Sequence, residues 1–322
     1  MNGYIGWLRA HVGPPLLPLA YVTAIVRNPA GQVLFQRRAD FGDAWWGLPG
    51  GLFEPGETPE DCLRREVLEE TGLRVAPRRL TGLYSSLRYR VSYPNGDQAQ
   101  QVTMCYACEV LGGELRAQAE EVHELRYFAP EALPPRPVWY ADMLAHALAG
   151  QPQPYFDPPE QAAGETPFPT LMALRAVVGT APVIWPGATA AVFDAAGRLL
   201  MQRRADNGHW GMPGGGMDTG ETLAQTAVRE TREETGLEVA PVRLLAAGGG
   251  HDVLYPNGDR LFPVGAIFAC RLMGGTPRPD GHESTEVAFF ARDQLPPLRP
   301  VTERLVELAF ASQGLHSDDR NQ

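Results

Sequence analysis

GLFEPGETPEDCLRREVLEETGL, residues Gly51–Leu73, decides how this chain is read, and GGMDTGETLAQTAVRETREETGL answers it at Gly215–Leu237, 164 residues on. Both follow G-x5-E-x7-R-E-U-x-E-E-x-G-U with U apolar, except that Thr231 takes the slot of Val67. Thr58-Pro59-Glu60-Asp61 is a helix start: a hydroxyl cap, proline at the first helical position, and acids in the first turn. Thr222-Leu223-Ala224-Gln225 offers a capping box at the matching place. Each predicted helix stops at a Thr-Gly pair, with Gly72 and Gly236 as the caps. At about 100° per residue, Glu66, Glu69 and Glu70 share roughly a 100° arc, while Leu63 and Val67 take the far, core-facing side. Three carboxylates on one stripe repel one another, and a hard oxygen-seeking cation removes that cost. Mg2+ suits a few carboxylates plus retained waters and phosphates, and Mn2+ suits the same oxygens. An E-x-x-E-E run alone would be a solvated acidic face. The glycine, upstream glutamate and arginine in register make it more than that.

Nine positions matched over 23 residues, twice in one chain, resemble the signature of the Nudix hydrolases, which cut diphosphate linkages with bound divalent metal. The resemblance implies a fold of two tandem α/β/α sandwiches, each a mixed β-sheet between helices. It implies metal ligands at Glu66, Glu69 and Glu70 in the first copy and Glu230, Glu233 and Glu234 in the second. The backbone carbonyl of Gly51 or Gly215, or of an immediate neighbour, is a further implied ligand. Glu57 would pair with Arg65, and Glu221 with Arg229, fixing the loop against the helix. Arg38 and Arg204 would face the substrate's phosphates or base; read without the resemblance they are surface arginines at strand ends. Related enzymes often bring a later loop glutamate to the metals as ligand or general base. Glu124 and Glu286 are the first choices here because they immediately precede apolar strand residues, with Glu121 and Glu283 close behind. Thr231, on the core side of its helix, needs a partner for its hydroxyl, expected to be a carbonyl one turn back.

The repetition extends beyond the motif. Leu8 to Gly13 matches Leu174 to Gly179, Gln36 to Asp40 matches Gln202 to Asp206, and Tyr93 to Asp97 matches Tyr255 to Asp259. The offset drifts from 166 to 164 to 162, so small deletions separate two related domains of ordinary size. The expected limits are residues 1–149 and 168–313, a Pro/Gln/Gly-rich linker at 150–167, and a frayed tail at 314–322. Each domain is expected to open with a short helix and then a hairpin-like strand pair, Ala20 to Val26 with Val33 to Arg38 and Ala188 to Phe193 with Leu199 to Arg204. Later strands at Val102 to Val110 and Phe262 to Leu272, and closing helices at Val138 to Leu148 and Val301 to Ala311, complete a mixed α/β order. The Asn-Gly of each Tyr-Pro-Asn-Gly-Asp element is a turn signal, and the tyrosines Tyr93 and Tyr255 could stack on a base or pack. Trp46 and Trp210 carry the same choice, with packing favoured.

A net charge of −10 argues against a broad nucleic-acid surface. All 28 Lys-plus-Arg residues are arginine, which excludes a Schiff-base or P-loop lysine. There is no signal-peptide layout and no unbroken apolar stretch of about 18 residues, so a cytoplasmic protein without membrane contact is expected. Cys105 and Cys108 point to opposite faces of one strand and read as structural thiols. The expected activity is metal-dependent hydrolysis of a nucleoside diphosphate derivative, water attacking phosphorus in each domain. Tyr89 and Tyr255, 16 and 18 residues beyond Leu73 and Leu237, loosely resemble a mark of dinucleoside polyphosphate hydrolases. ADP-ribose, NADH-like dinucleotides and damaged nucleoside triphosphates stay open as substrates, and the oligomeric state is unassigned. The alternatives are one catalytic domain beside a nucleotide-binding or interface domain, or a non-catalytic sensor, which should have lost motif glutamates.

Overall fold

A computed structural model describes residues 3–38, 46–118, 121–159 and 170–313. The expected tail, Ala39 and Asp40, and residues 160–167 of the expected linker lie outside them.

The first half runs α1 (Tyr4–Val12), β1 (Leu17–Val26), β2 (Val33–Arg38), α2 (Pro59–Thr71), β3 (Leu73–Tyr84), β4 (Arg90–Ser92), β5 (Gln98–Gly113), β6 (Val122–Phe128), α3 (Val138–Leu148) and β7 (Tyr155–Phe156). The second half repeats it: α4 (Leu171–Val178), β8 (Val183–Val192), β9 (Leu199–Arg204), β10 (Trp210–Gly211), β11 (Gly214–Gly216), α5 (Leu223–Thr235), β12 (Leu237–Gly248), β13 (Val253–Leu254), β14 (Arg260–Gly275), β15 (Ser284–Phe290) and α6 (Pro300–Gln313). The main sheets are ordered β1-β5-β3-β7, with β4 on β5, and β11-β8-β14-β12, with β13 on β14. The β1–β5 and β14–β8 pairs are parallel and the β3–β5 and β12–β14 pairs antiparallel, the expected mixed sheet. Smaller antiparallel sheets pair β2 with β6 and β9 with β10 and β15.

The expected hairpins do not form. Single bridges, Arg27 to Val33 and Phe193 to Leu199, close the two turns, after which the strands part into different sheets. All ten residues of β1 are buried, so it needs cover on both faces and takes a long parallel partner instead of a short hairpin neighbour. Within the stretch read as linker, Tyr155–Phe156 pairs with β3, and the buried Asp157 accepts from the backbone N–H groups of Ser85 and Ser86 at 2.6 and 3.0 Å.

Both acidic helices are capped as their sequences specify. The Thr58 hydroxyl accepts from Asp61 N–H, Thr222 and Gln225 complete a capping box, and Gly72 and Gly236 end the helices in the left-handed conformation. Leu63 and Val67 are fully buried. Thr231 is too, and its hydroxyl donates to the Ala227 carbonyl at 2.7 Å, one turn back. The amino-terminal elements are also built alike. Buried Arg9 donates to the carbonyls of Gly13, Pro15 and Gln98, and Arg175 to those of Gly179, Ala181 and Arg260. The largest apolar cluster takes residues from both halves, among them Val22, Val102 and Leu63 with Ala190, Val264 and Leu223. Among the described residues, no helix is long and apolar enough to cross a membrane.

Candidate active site

Each motif places an arginine between loop and helix. Arg65 Nε and Nη2 donate to the two Glu57 oxygens at 2.6 and 2.8 Å, and Nη2 also reaches the Leu52 carbonyl at 3.0 Å. Arg229 does the same with Glu221 at 2.6 and 3.0 Å and with the Gly216 carbonyl at 2.9 Å. The remaining nitrogen of each turns to the helix acids: Arg65 Nη1 to Glu66 at 2.8 Å and Glu69 at 3.3 Å, Arg229 Nη1 to Glu230 at 2.8 Å and Glu233 at 3.1 Å. The planar fork thus ties the loop to the helix while offsetting carboxylate repulsion.

Below it the acids are buried. Glu70 is 2% exposed, Glu234 3% and Glu230 8%, while Glu69 and Glu233 lie on the solvent side. Glu70 accepts from Gly50 N–H at 2.8 Å and from the Gln36 amide at 2.9 Å, and Arg38 Nη1 stands 3.7 Å away. Glu234 accepts from Gly214 N–H at 2.8 Å. Burial pushes the carboxyls of Glu70 and Glu234 up to about 8 and that of Glu230 up to about 7, and raises Glu66 as well. A Cβ on Gly51 would lie 2.3 Å from the Glu66 carboxyl carbon, and one on Gly215 2.6 Å from that of Glu230, so both glycines make room for an acid. The Gly51 carbonyl, expected as a ligand, accepts from Val22 N–H at 2.9 Å on one of its two lone pairs.

The four loop glutamates fall into two settings. Glu124 stands opposite Arg37 in the β2–β6 register and pairs with it at 3.2 Å and with Arg126; Glu286 stands opposite Arg203 and pairs with it at 2.7 Å. Arg37 and Arg203 lie on the strand face turned away from Gln36 and Gln202, so strand alternation carries Glu124 and Glu286 away from the acidic helix. Glu283, with Glu230 and Glu234, offers oxygens that all lie within 4.8 Å of one another. In the first half, Glu121 is among the acids that raise the Glu66 carboxyl. An oxygen-only set of carboxylates, those of the helix largely buried, fits Mg2+ or Mn2+ and does not fit a soft metal.

Arg38 and Arg204 have diverged. Arg38 borders a cleft beside Gly51 that is lined by Tyr21, Tyr93, Trp139 and Tyr140. Arg204 makes a two-pronged pair with Asp206, both contacts at 2.9 Å. By the offsets of the repeat, Gly187, Val301 and Thr302 stand where the first half has Tyr21, Trp139 and Tyr140. Tyr89 is not at the site: it is buried with Tyr84 and Met143, its hydroxyl donating to Asp142. Tyr93, which the repeat aligns with Tyr255, is the tyrosine that borders the cleft. Trp46 and Trp210 pack edge-on against Phe128 and Phe290. Cys105 and Cys108 join different apolar clusters. Gln36 is a site residue that pattern reading missed; its signal was the repeated Gln-Arg-Arg at 36–38 and 202–204, read there only for the arginines.

The family model of the NUDIX domain matches residues 17–147 and 184–309. A MutT-like protein of Streptomyces ambofaciens is 34% identical over 148 residues, 46% of this chain and 87% of that protein. An ADP-ribose pyrophosphatase of Methanocaldococcus jannaschii is 32% identical over 120 residues, 37% of this chain and 66% of that one. A crystal structure of an ADP-ribose pyrophosphatase from Streptococcus suis is 27% identical and has a TM-score of 0.32, covering 40% of this chain and 91% of its own.

Proposed function

The chain belongs to the Nudix hydrolase family, matched once in each half, and from that premise we propose a divalent-metal-dependent pyrophosphohydrolase that cuts the diphosphate bridge of a nucleoside diphosphate derivative in both halves. The observation that carries this reading is the repeated assembly of a bidentate arginine clamp over buried glutamates. Glu66, Glu69 and Glu70 would hold Mg2+ or Mn2+ in the first half, and Glu230, Glu233, Glu234 and Glu283 in the second. Bound there, the ion would neutralise phosphate charge and lower the pKa of the attacking water. Water oxygen forms the new bond to phosphorus and the bridging P–O bond breaks, giving a nucleoside monophosphate and the partner phosphate. Glu121 and Glu283 are preferred as acceptors of the water's proton: Glu283 lies with Glu230 and Glu234 and the charge of Glu121 acts on Glu66, whereas Glu124 and Glu286 are engaged by arginine. Arg38 faces the phosphates, and the aromatic cleft beside it suits a nucleobase. ADP-ribose is the first substrate to try, since the relative from Methanocaldococcus jannaschii is named for that activity.

A second reading has one half turning over and the other chiefly recognising substrate or building the interface. The aromatic cleft of the first half and the Arg204–Asp206 pair of the second favour it. Both readings meet one experiment: a panel of nucleoside diphosphate derivatives with Mg2+, products identified, on Glu69→Gln/Glu70→Gln and Glu233→Gln/Glu234→Gln chains. Each double variant should keep the other half's turnover, and EDTA should abolish both. Turnover that survives thorough chelation would end the metal mechanism. One inert and one wild-type-like variant would establish the division of labour instead.

A further inference from the structure

The loop that carries Glu221 is held by the other half of the molecule. Gln100, on β5 of the first half, has its backbone in the sheet between Pro18 and Arg90, and its side chain is fully buried. Its Oε1 accepts from Gly220 N–H at 2.7 Å, and its Nε2 donates to the Glu221 carbonyl at 2.7 Å and to the Ser85 carbonyl at 2.7 Å. Ser85, itself buried, accepts on its hydroxyl oxygen from Leu223 N–H at 3.0 Å. Three backbone groups around Glu221, the N–H of Gly220, the carbonyl of Glu221 and the N–H of Leu223, are thereby fastened across the interface. From Glu221 the path runs on through Arg229 to Glu230 and Glu233.

The reverse contact has another chemistry. The repeat places Phe262 and Gly249 where the first half has Gln100 and Ser85. The Phe262 ring comes to 3.8 Å from the Cβ position of Gly56, and the backbone of Gly250 lies against that of Glu57 and Thr58. Among the described residues, no side chain of the second half hydrogen-bonds residues 54–58. One catalytic loop is clamped by directional bonds and the other is covered by an aromatic ring.

We infer that Gln100, with Ser85, is a positioning residue for the second site, so that the geometry of that site depends on the first half, while among the described residues the loop at 54–58 takes no matching side-chain bond from the second half. The inference rests on the second site being catalytic only where turnover is the readout. Burial makes the dependence strong: without the amide, Gly220 N–H and the Glu221 carbonyl lose their partners away from water. The loop must then move to rehydrate them, carrying Glu221 off Arg229.

The test replaces Gln100 by methionine, which keeps length and volume but neither donor nor acceptor, with Ser85→Ala as the milder companion. Two readouts are taken on the full chain. Amide hydrogen exchange should speed up by about tenfold or more over residues 217–223, with residues 53–58 unchanged, since losing buried bonds lowers the cost of local opening. In a Glu69→Gln/Glu70→Gln background, kcat of the second site should fall by about tenfold while KM moves by less than about twofold, as expected when alignment and not binding is lost. Exchange unchanged at 217–223, or raised equally at 53–58, would overturn the inference, as would an equal loss of kcat at the first site in a Glu233→Gln/Glu234→Gln background. If the second half shows no turnover even with Gln100 present, yet Gln100→Met loosens only 217–223, the positioning role stands and the two-site reading is what fails.

Discussion

Burial holds the Glu70 and Glu234 carboxyls at about 8 and Glu230 at about 7, and such raised values have a defined consequence for the cation-free chain. A carboxyl whose folded value exceeds its unfolded one stabilises the fold while protonated, a contribution fully present below the unfolded value and lost as pH rises from there to the folded value. Thermal stability without cation should therefore fall from about pH 4.5, the ordinary carboxyl value, to about pH 8 and level off above it, and Mg2+ should restore more at the upper end, because ion and proton compete for the same oxygens. Glu70→Gln with Glu234→Gln should flatten the profile; a melting temperature that rises over this window would contradict the assignment. Arg65 supports a second prediction at this scale. Lysine cannot reproduce the fork that bridges Glu57, Glu66 and the Leu52 carbonyl. With the second site disabled, Arg65→Lys should lower kcat by about tenfold or more and KM far less, the fold being kept. Unchanged turnover would reduce Arg65 to a surface charge.

At the scale of elements, the site is made where the segment leading into Gly51 runs against β1. Gly50 has φ +143, its N–H binds Glu70, and a Cβ there would lie 2.2 Å from the Val22 carbonyl oxygen. Gly214 repeats this with φ +156, a bond to Glu234 and a Cβ position 2.3 Å from the Ala188 oxygen. Backbone lies on the blocked side, so no side chain can swing clear. Gly50→Ala should cost roughly 1–3 kcal/mol, read by chemical denaturation, and should also weaken cation binding in the first half. Stability within about 0.5 kcal/mol of wild type would mean that the strand approach is looser than described.

For the molecule as a whole, the main apolar cluster does not respect the boundary between halves. Leu63, Val67 and Val102 share it with Leu223, Ala227 and Val264, the Tyr4 hydroxyl accepts from Ile184 N–H at 2.8 Å, and Phe156 meets Phe268 at 5.1 Å. Separating the halves would expose that shared face to water, a cost proportional to the apolar area uncovered. The full chain should unfold in one calorimetric transition, and residues 1–159 and 170–322 expressed apart should self-associate or aggregate. Two well-separated transitions, or monomeric and stable halves, would show that each half is a sufficient domain.

Much of this was legible in the residues themselves, because the information is local. Thr58, Pro59 and Gly72 specify the ends of α2 by capping, the 3.6-residue period puts Glu66 and Glu70 opposite Leu63 and Val67, and an eight-residue spacing lets Arg65 reach back to Glu57. The duplication, the mixed sheet and the acidic site followed from the same patterns. What pattern could not reach was pairing between distant strands. The turn after β1 looks like a hairpin whether or not its strands stay together, and only burial of β1 on both faces sends them to different sheets. The register of β2 on β6 and of β9 on β15 turned Glu124 and Glu286 toward Arg37 and Arg203, and left Glu283 with the acidic helix. Gln100 is an unremarked polar residue in the chain order. Its contacts lie 120 and 121 residues away, and the packing of one half on the other is what brings Gly220 and Glu221 to it.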